Sequence, residues 1–143
     1  MSIRAQVAIE MKDGSIQSIY NHSGGYIHGG LGETLAKHYQ DREKVEKLIS
    51  MGGASYITEE IGEEKNDFDK RDLNCSCFYH RDRDEELVVS KYLSKAEWEL
   101  DFQNDIMIEW CYLFTQEDKW EVYKPARTMF DLEKSINGDY NND

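Results

Sequence analysis

The chain has 143 residues, 39% apolar and 12% aromatic, enough for one compact core and too apolar for a wholly disordered chain. Its 29 acidic residues against 17 basic ones give a formal charge of −12 with no basic run, which argues against direct DNA or RNA binding, since that needs Lys and Arg at the phosphates. No apolar stretch approaches the roughly 20 residues of a membrane-spanning helix, and Met1–Gln6 enters a strand pattern with no signal-peptide character, so a soluble cytoplasmic protein is expected.

Residues 3–11 alternate Ile3, Ala5, Val7, Ile9 and Met11 with polar positions, the period of a half-buried strand. Asp13-Gly14 reads as a two-residue hairpin turn, returning through Ser15–Tyr20 with Ile9 facing Ser18 and Val7 facing Tyr20. A glycine-rich stretch follows, Asn21–Gly30. Leu31, Leu35, His38, Tyr39, Val45, Leu48 and Ile49 then recur at helical spacing, with a bend at Gln40-Asp41 and a stop at Gly52-Gly53.

Residues 58–72 hold many acids and few large apolar side chains, and predict an irregular acidic surface loop. Asn74–His80 alternates like a strand, Arg81–Glu86 reads as a charged turn, and Leu87–Tyr92 as a further strand. Ser94–Glu97 fits a capping box ahead of Trp98 and Phe102. Ile106–Phe114 predicts a central strand buried on both faces, and Lys119–Lys124 its hairpin partner. A short helix over Met129–Ile136 and a frayed tail over 137–143 close the chain. The sum is a single α+β domain over 1–143. It has a mainly antiparallel sheet of about six strands, with one long helix and short helices packed on one face.

Two clusters carry candidate binding chemistry. The first is His22, Gly24, Gly25, Tyr26 and His28, where backbone amides at the mouth of a helix, with imidazole and phenol groups, suit an anion. The same glycines also suit a chain that merely leaves a strand and enters a helix. The second is Tyr79, His80, Arg81 and Arg83, whose guanidinium forks suit phosphate or carboxylate, while Asp82 and Asp84 also suit plain surface ion pairs. If both clusters form one site, they must share a concavity. No catalytic set is visible: His22 and Ser23 are adjacent and diverge, and the three tryptophans sit in core patterns. Cys75, Cys77 and Cys111 are expected to be reduced thiols, and neither a metal nor a cofactor is expected.

Ser18–Tyr26, with Gly32, Leu35, His38-Tyr39 and Val45–Ile49, resembles a family of small bacteriophage and prophage accessory proteins. Its motif is I/V-Y-x-H-x-D-G-Y-P, followed by a helix ending L-I-x-x-G. Phe78–Arg83 resembles the family's Y-H-R-D-R segment, and Tyr112–Phe114 with Trp120–Val122 its closing hairpin, so the similarity spans most of residues 3–132. Gly24 stands where the motif has Asp, and Ile27 where it has Pro. The resemblance implies a phage factor acting in the host cytoplasm, on the host and its defence systems.

The leading expectation is therefore a non-enzymatic counter-defence or host-takeover protein that holds a small anionic nucleotide or a host defence protein. One alternative is an acidic nucleic-acid mimic that blocks a basic host protein; another is a small nucleotide-processing enzyme. A homo-oligomer is left open, and no membrane partner is expected.

Overall fold

The structure, a computed structural model, describes residues 3–62, 75–105, 107–124 and 130–131. Ala5–Glu10 (β1) and Ile16–Asn21 (β2) pair antiparallel, as the alternation predicts. The register differs by one residue from that of a two-residue turn: Val7 lies opposite Ile19 and Ile9 opposite Gln17. Met11 and Ser15 close the loop instead. The Met11 amide donates to the Ser15 carbonyl at 2.8 Å and the Gly14 amide to the Met11 carbonyl at 2.9 Å. Lys12, Asp13 and Gly14 thus form a three-residue bulged turn with Gly14 at φ +89°. Asp13 Oδ1 accepts from the amide and hydroxyl of Ser15, at 2.9 and 2.6 Å.

The chain continues through two helices, Leu31–His38 (α1) and Arg42–Ser50 (α2), to strands Ala54–Tyr56 (β3) and Cys77–Phe78 (β4). Helix Tyr79–Arg83 (α3), strand Ser90–Tyr92 (β5) and helix Lys95–Gln103 (α4) follow. Strands Trp110–Phe114 (β6), Trp120–Tyr123 (β7) and Phe130–Asp131 (β8) end the described fold. The sheet runs β4-β3-β2-β1-β6-β7-β8, with β5 also on β2. Because β1 pairs β6 in parallel and β2 pairs β3 in parallel, the sheet is mixed, not mainly antiparallel. In both cases helices intervene between the paired strands, which gives the chain the length to return in the same direction.

Nor do the helices share one face. Val7, Ile9, Ile19, Tyr112 and Phe114 meet Leu35, Tyr39 and Leu48 on one side. Ala8, Ile16 and Leu113 meet Trp98 and Phe102 of α4 on the other. β1 is therefore buried on both faces rather than half-buried. Its polar Gln6 is accommodated because Oε1 accepts from Ser18 Oγ at 2.9 Å and Trp98 Nε1 at 3.0 Å.

The expected long helix is two short ones, broken where the bend was read. Tyr39 leaves helical geometry at φ −125°, ψ 62°. Its carbonyl, which a continuous helix would use for its own ladder, accepts from Trp120 Nε1 at 2.8 Å, and its hydroxyl donates to the Thr58 carbonyl at 2.7 Å. Gly52 ends α2 at φ +78°. Ser94 accepts from the Glu97 amide at the start of α4, as the capping box requires.

Other corrections follow from pairing between distant segments. Tyr79–Arg83 is helical rather than the end of a strand and a turn. The start of the acidic stretch is tied down, since Glu60 bridges Cys75 and Ile61 is buried; residues 63–72 lie outside the described residues. Phe130-Asp131 pair with β7, in place of the helix read over Met129–Ile136. The rest of that helix and the 137–143 tail lie outside the described residues. No helix among the described residues is long and apolar enough to cross a membrane.

Gly14→Ala is expected to lower stability by about 1–2 kcal/mol in urea denaturation, because a Cβ disfavours the left-handed conformation. Gly14→Asn should recover part of that loss, since Asn tolerates it. Equal stability of all three would contradict the bulged turn.

Candidate functional site

The loop from Asn21 to Gly30 leaves β2 beside β3, with the His22 amide on the Ala54 carbonyl at 2.9 Å and the Ser23 amide on the Ser55 carbonyl at 3.1 Å. It then folds back over β1 and β6. Gly25 sits so close that a Cβ there would lie 2.7 Å from the Ile3 carbonyl and 2.9 Å from Ala5 Cβ. Its amide donates to Ile3 and its carbonyl accepts from the Tyr112 hydroxyl at 2.6 Å. Gly25 is thus a packing residue, not a ligand contact.

The turn closes over its own helix. The amides of Leu31, Gly32, Glu33 and Thr34 donate to the carbonyls of Gly24, Tyr26, Ile27 and Gly30. These are the amides that an anion at the start of α1 would use. The anion cradle expected from the sequence is filled by the loop's own carbonyls. The amides of Gly29 and Gly30 donate to no group among the described residues, and both glycines line a concavity. A Cβ on Gly29 would meet nothing within 4 Å, whereas one on Gly30 would lie 2.5 Å from the Tyr26 carbonyl and 2.6 Å from its ring.

The concavity is a cleft of about 480 Å³ between the loop, α1 and residues 56–59. Gly24 and Tyr26 of the expected cluster line it, together with Ser23, Gly29 and Gly30. Opposite them stand Thr34 and His38 of α1, Tyr56, Thr58 and Glu59. His38 Nε2 lies 3.6 Å from Glu59 Oε2 on the wall. Lys44 Nζ reaches the carbonyls of His38 and Glu59 at 2.7 and 2.9 Å, and lies 4.3 Å from the centre of the Tyr39 ring. It holds the far end of the cleft together. Burial pushes the Tyr39 phenol up to about 12, so it stays a donor to Thr58. Among the described residues, no Lys or Arg lines the cleft.

The other expected residues go elsewhere. His22 turns to Tyr20, whose hydroxyl is 2.8 Å from His22 Nδ1. His28 is exposed and lies 3.9 Å from Glu33. His80 Nδ1 is 2.9 Å from the Glu85 carbonyl. Arg81 is only 16% exposed at its side chain and spans a knot of acceptors. It meets both carboxylate oxygens of Asp82 (2.8 and 3.0 Å) and the carbonyls of Ile61, Gly62 and Ser76 (3.0, 2.8 and 3.1 Å). Asp82, with its side chain fully buried, also accepts the Phe78 amide at 2.8 Å. Arg83 Nη1 donates to the Asp82 carbonyl. The pair is therefore a buried structural clamp, neither an anion fork nor a surface ion pair.

Tyr79 lines a second cavity of about 340 Å³, with Tyr20, Gly53, Glu85 and Glu86 among its walls. The loop cleft and this cavity share no lining residue, so the two sequence clusters do not form one concavity. The first borders the core of Ile27, Leu31 and Ile57, and the second the opposite sheet face, that of Ser18 and Tyr20.

Sequence reasoning missed Thr34, Tyr56, Thr58 and Glu59, and placed His38 in the core stripe. Tyr39, read in the same stripe, is buried, while His38 is exposed beside Glu59. Cys75, Cys77 and Cys111 are free thiols, and among the described residues no group of His, Cys, Asp and Glu is placed to hold a metal ion. Burial raises the Cys111 thiol far above its ordinary value, which makes it unreactive in the folded state. No family model matches the chain, and no curated protein or solved structure is found to be similar to it.

Asp82→Ala is expected to cost about 3–5 kcal/mol in chemical denaturation, since it strands a guanidinium among carbonyls with no carboxylate. A loss below about 1 kcal/mol would return Arg81 to the status of a surface residue.

Proposed function

We propose that this is a non-enzymatic binding protein whose loop cleft takes a nucleoside or nucleoside monophosphate. The observation that carries the reading is the union, in one concavity, of two tyrosines, three hydroxyl residues, a His–Glu pair and the backbone of Gly29 and Gly30. The cleft volume falls within the range of small-ligand sites. Tyr26 and Tyr56 offer rings for a base, which need read no sequence. Glu59 offers a carboxylate for a ribose diol, the role an acidic residue plays in dinucleotide folds. Gly29 and Gly30 offer donors for a single phosphate near the start of α1. A longer phosphate chain meets no cation among the described lining residues.

The resemblance to bacteriophage accessory proteins sets this chemistry in context. A protein that withholds a nucleotide from the host would serve as a counter-defence or host-takeover factor. The His38–Glu59 pair is also an arrangement able to move a proton. Turnover during the same experiment would therefore favour the enzyme alternative.

The test is calorimetric titration with a panel of nucleosides, their monophosphates and their triphosphates. Monophosphates should bind, and triphosphates should bind more weakly. Tyr26, 45% exposed, is a safe position for substitution. Tyr26→Ala should weaken binding by about 5- to 100-fold, the loss of one stacked base, and His80→Ala, at an exposed position that does not line the cleft, should leave it unchanged. No binding by any member, or binding indifferent to both Tyr26→Ala and Glu59→Gln, would overturn the reading. Capture of a basic host protein with no nucleotide bound would favour the acidic mimic.

A further inference from the structure

The second cavity is bounded by strand β2 at Ser18 and Tyr20, by Gly53, by the first residue of α3, Tyr79, and by the connection through Glu85, Glu86 and Val88 to Ser90 of β5. We propose that it is a binding site for an organic cation, an alkylammonium head of a few carbon atoms. The argument rests on what the walls are and on what they lack.

Two of the larger side chains lining it are tyrosines. Aromatic faces attract ammonium groups through the ring quadrupole, most strongly where water is thin. Both are half-buried and held in place. Tyr20 is fixed by its bond to His22. Tyr79 is fixed through its backbone, whose amide donates to the Gly53 carbonyl and whose carbonyl accepts from Glu85. Gly53 makes room for the second ring, since a Cβ there would lie 3.4 Å from Tyr79 Cδ2. The Tyr79 phenol is raised above its ordinary value by burial, then by Tyr20 and Glu85, so its ring is a neutral wall at physiological pH.

Glu85 and Glu86 bring two carboxylates to the rim, and among the described residues no Lys, Arg or His lines the cavity. Neighbouring bases are turned aside. Lys91 alternates to the other side of β5 from Ser90, because Ser90 lies opposite Ser18 while Lys91 lies opposite Gln17. His80 and Arg83 are bonded to backbone carbonyls. Aromatic walls, a carboxylate rim and no competing base describe a receptor for a cation, not for a phosphate or a neutral sugar. The site shares no residue with the loop cleft, so the inference stands apart from the reading of that cleft.

The full-length protein can be titrated calorimetrically with tetramethylammonium and spermidine, as free amines, and with Nα-acetyl-lysine amide, as the head carried by a polypeptide. The neutral isostere of choline, 3,3-dimethylbutanol, is the control. At least one cation should bind in the micromolar to millimolar range, the isostere at least tenfold more weakly, and whichever cation binds best identifies the source. Tyr79→Leu should weaken binding about two- to thirtyfold, the value of one ring, while Tyr79→Phe stays within a factor of about two. The double change Glu85→Gln with Glu86→Gln lies on exposed positions, keeps the fold testable if Tyr79→Leu does not, and should weaken binding about tenfold at low salt. No binding by any cation, equal binding of the isostere, or binding indifferent to the double glutamine variant would overturn the proposal.

Discussion

Everything in this fold is arranged around β1, a six-residue strand with hydrogen-bonded neighbours on both edges and core on both faces. Odd positions Ala5, Val7 and Ile9 feed one core, and Ala8 the other. A strand buried twice over cannot leave either face to water, so helices must cover both. This requirement sends α1 and α2 to one side and α4 to the other. It also decides where the glycine-rich loop can work. Asn21 pairs with Ala5 and faces the first core, so His22, one residue on, belongs with Tyr20 on the second. The alternation of a strand thus pulls the two histidines of a single sequence cluster apart.

Polar groups taken inside by this arrangement are satisfied almost without exception. Gln6 serves two donors from different elements, which locks α4 to the hairpin. Arg81 and Asp82 tie together two separate stretches, 61–62 and 76–78. Low dielectric raises the worth of each bond that is made and the cost of each that is not. Among the described residues one buried side-chain atom, Asn21 Oδ1, has no partner, although its Nδ2 donates to the Ser23 carbonyl at 2.8 Å. That amide holds the loop's first turn and leaves its oxygen in the core, a cost of roughly 1–3 kcal/mol accepted where the strand becomes the loop.

How much of this could be read from the chain depends on the distance over which each element is decided. The hairpin, the break at Gln40-Asp41, the stop at Gly52, the cap at Ser94 and the buried strand ending at Phe114 are written in neighbouring residues, and they were legible. The turn was legible as a turn but not in its register, because Asp-Gly serves both two- and three-residue loops. What escaped was settled from afar. Tyr79–Arg83 looks like a strand end until Arg81 finds carbonyls about twenty residues upstream, as the bond to Ile61 shows. β3 is too short to alternate and exists because β2 offers it an edge, while β5, legible as a strand over Leu87–Tyr92, is confined to Ser90–Tyr92, where it pairs with β2. The loop cleft was half legible: Gly24 and Tyr26 belong to it, but Thr34, Tyr56 and Glu59 reach it only through the path of α1 and β3.

The charge of −12 then acquires a more local meaning. At physiological ionic strength the field of an exposed charge fades over about 8 Å, so the acidic surface as a whole biases encounter more than it selects a ligand. Selection falls to the groups within a few ångströms. At the loop cleft these are uncharged donors beside a histidine already near a carboxylate, which tolerate one negative group and offer nothing to a second. At the tyrosine cavity they are ring faces and glutamates, for which a negative group is the wrong partner altogether. The bulk field and the local groups agree at the second site and oppose one another at the first. Rising salt should therefore act in opposite directions at the two: it relieves repulsion of a phosphate from the cleft and weakens attraction of a cation to the cavity. Because sites without shared partners respond almost independently, that opposition makes each site's electrostatics readable in a single protein.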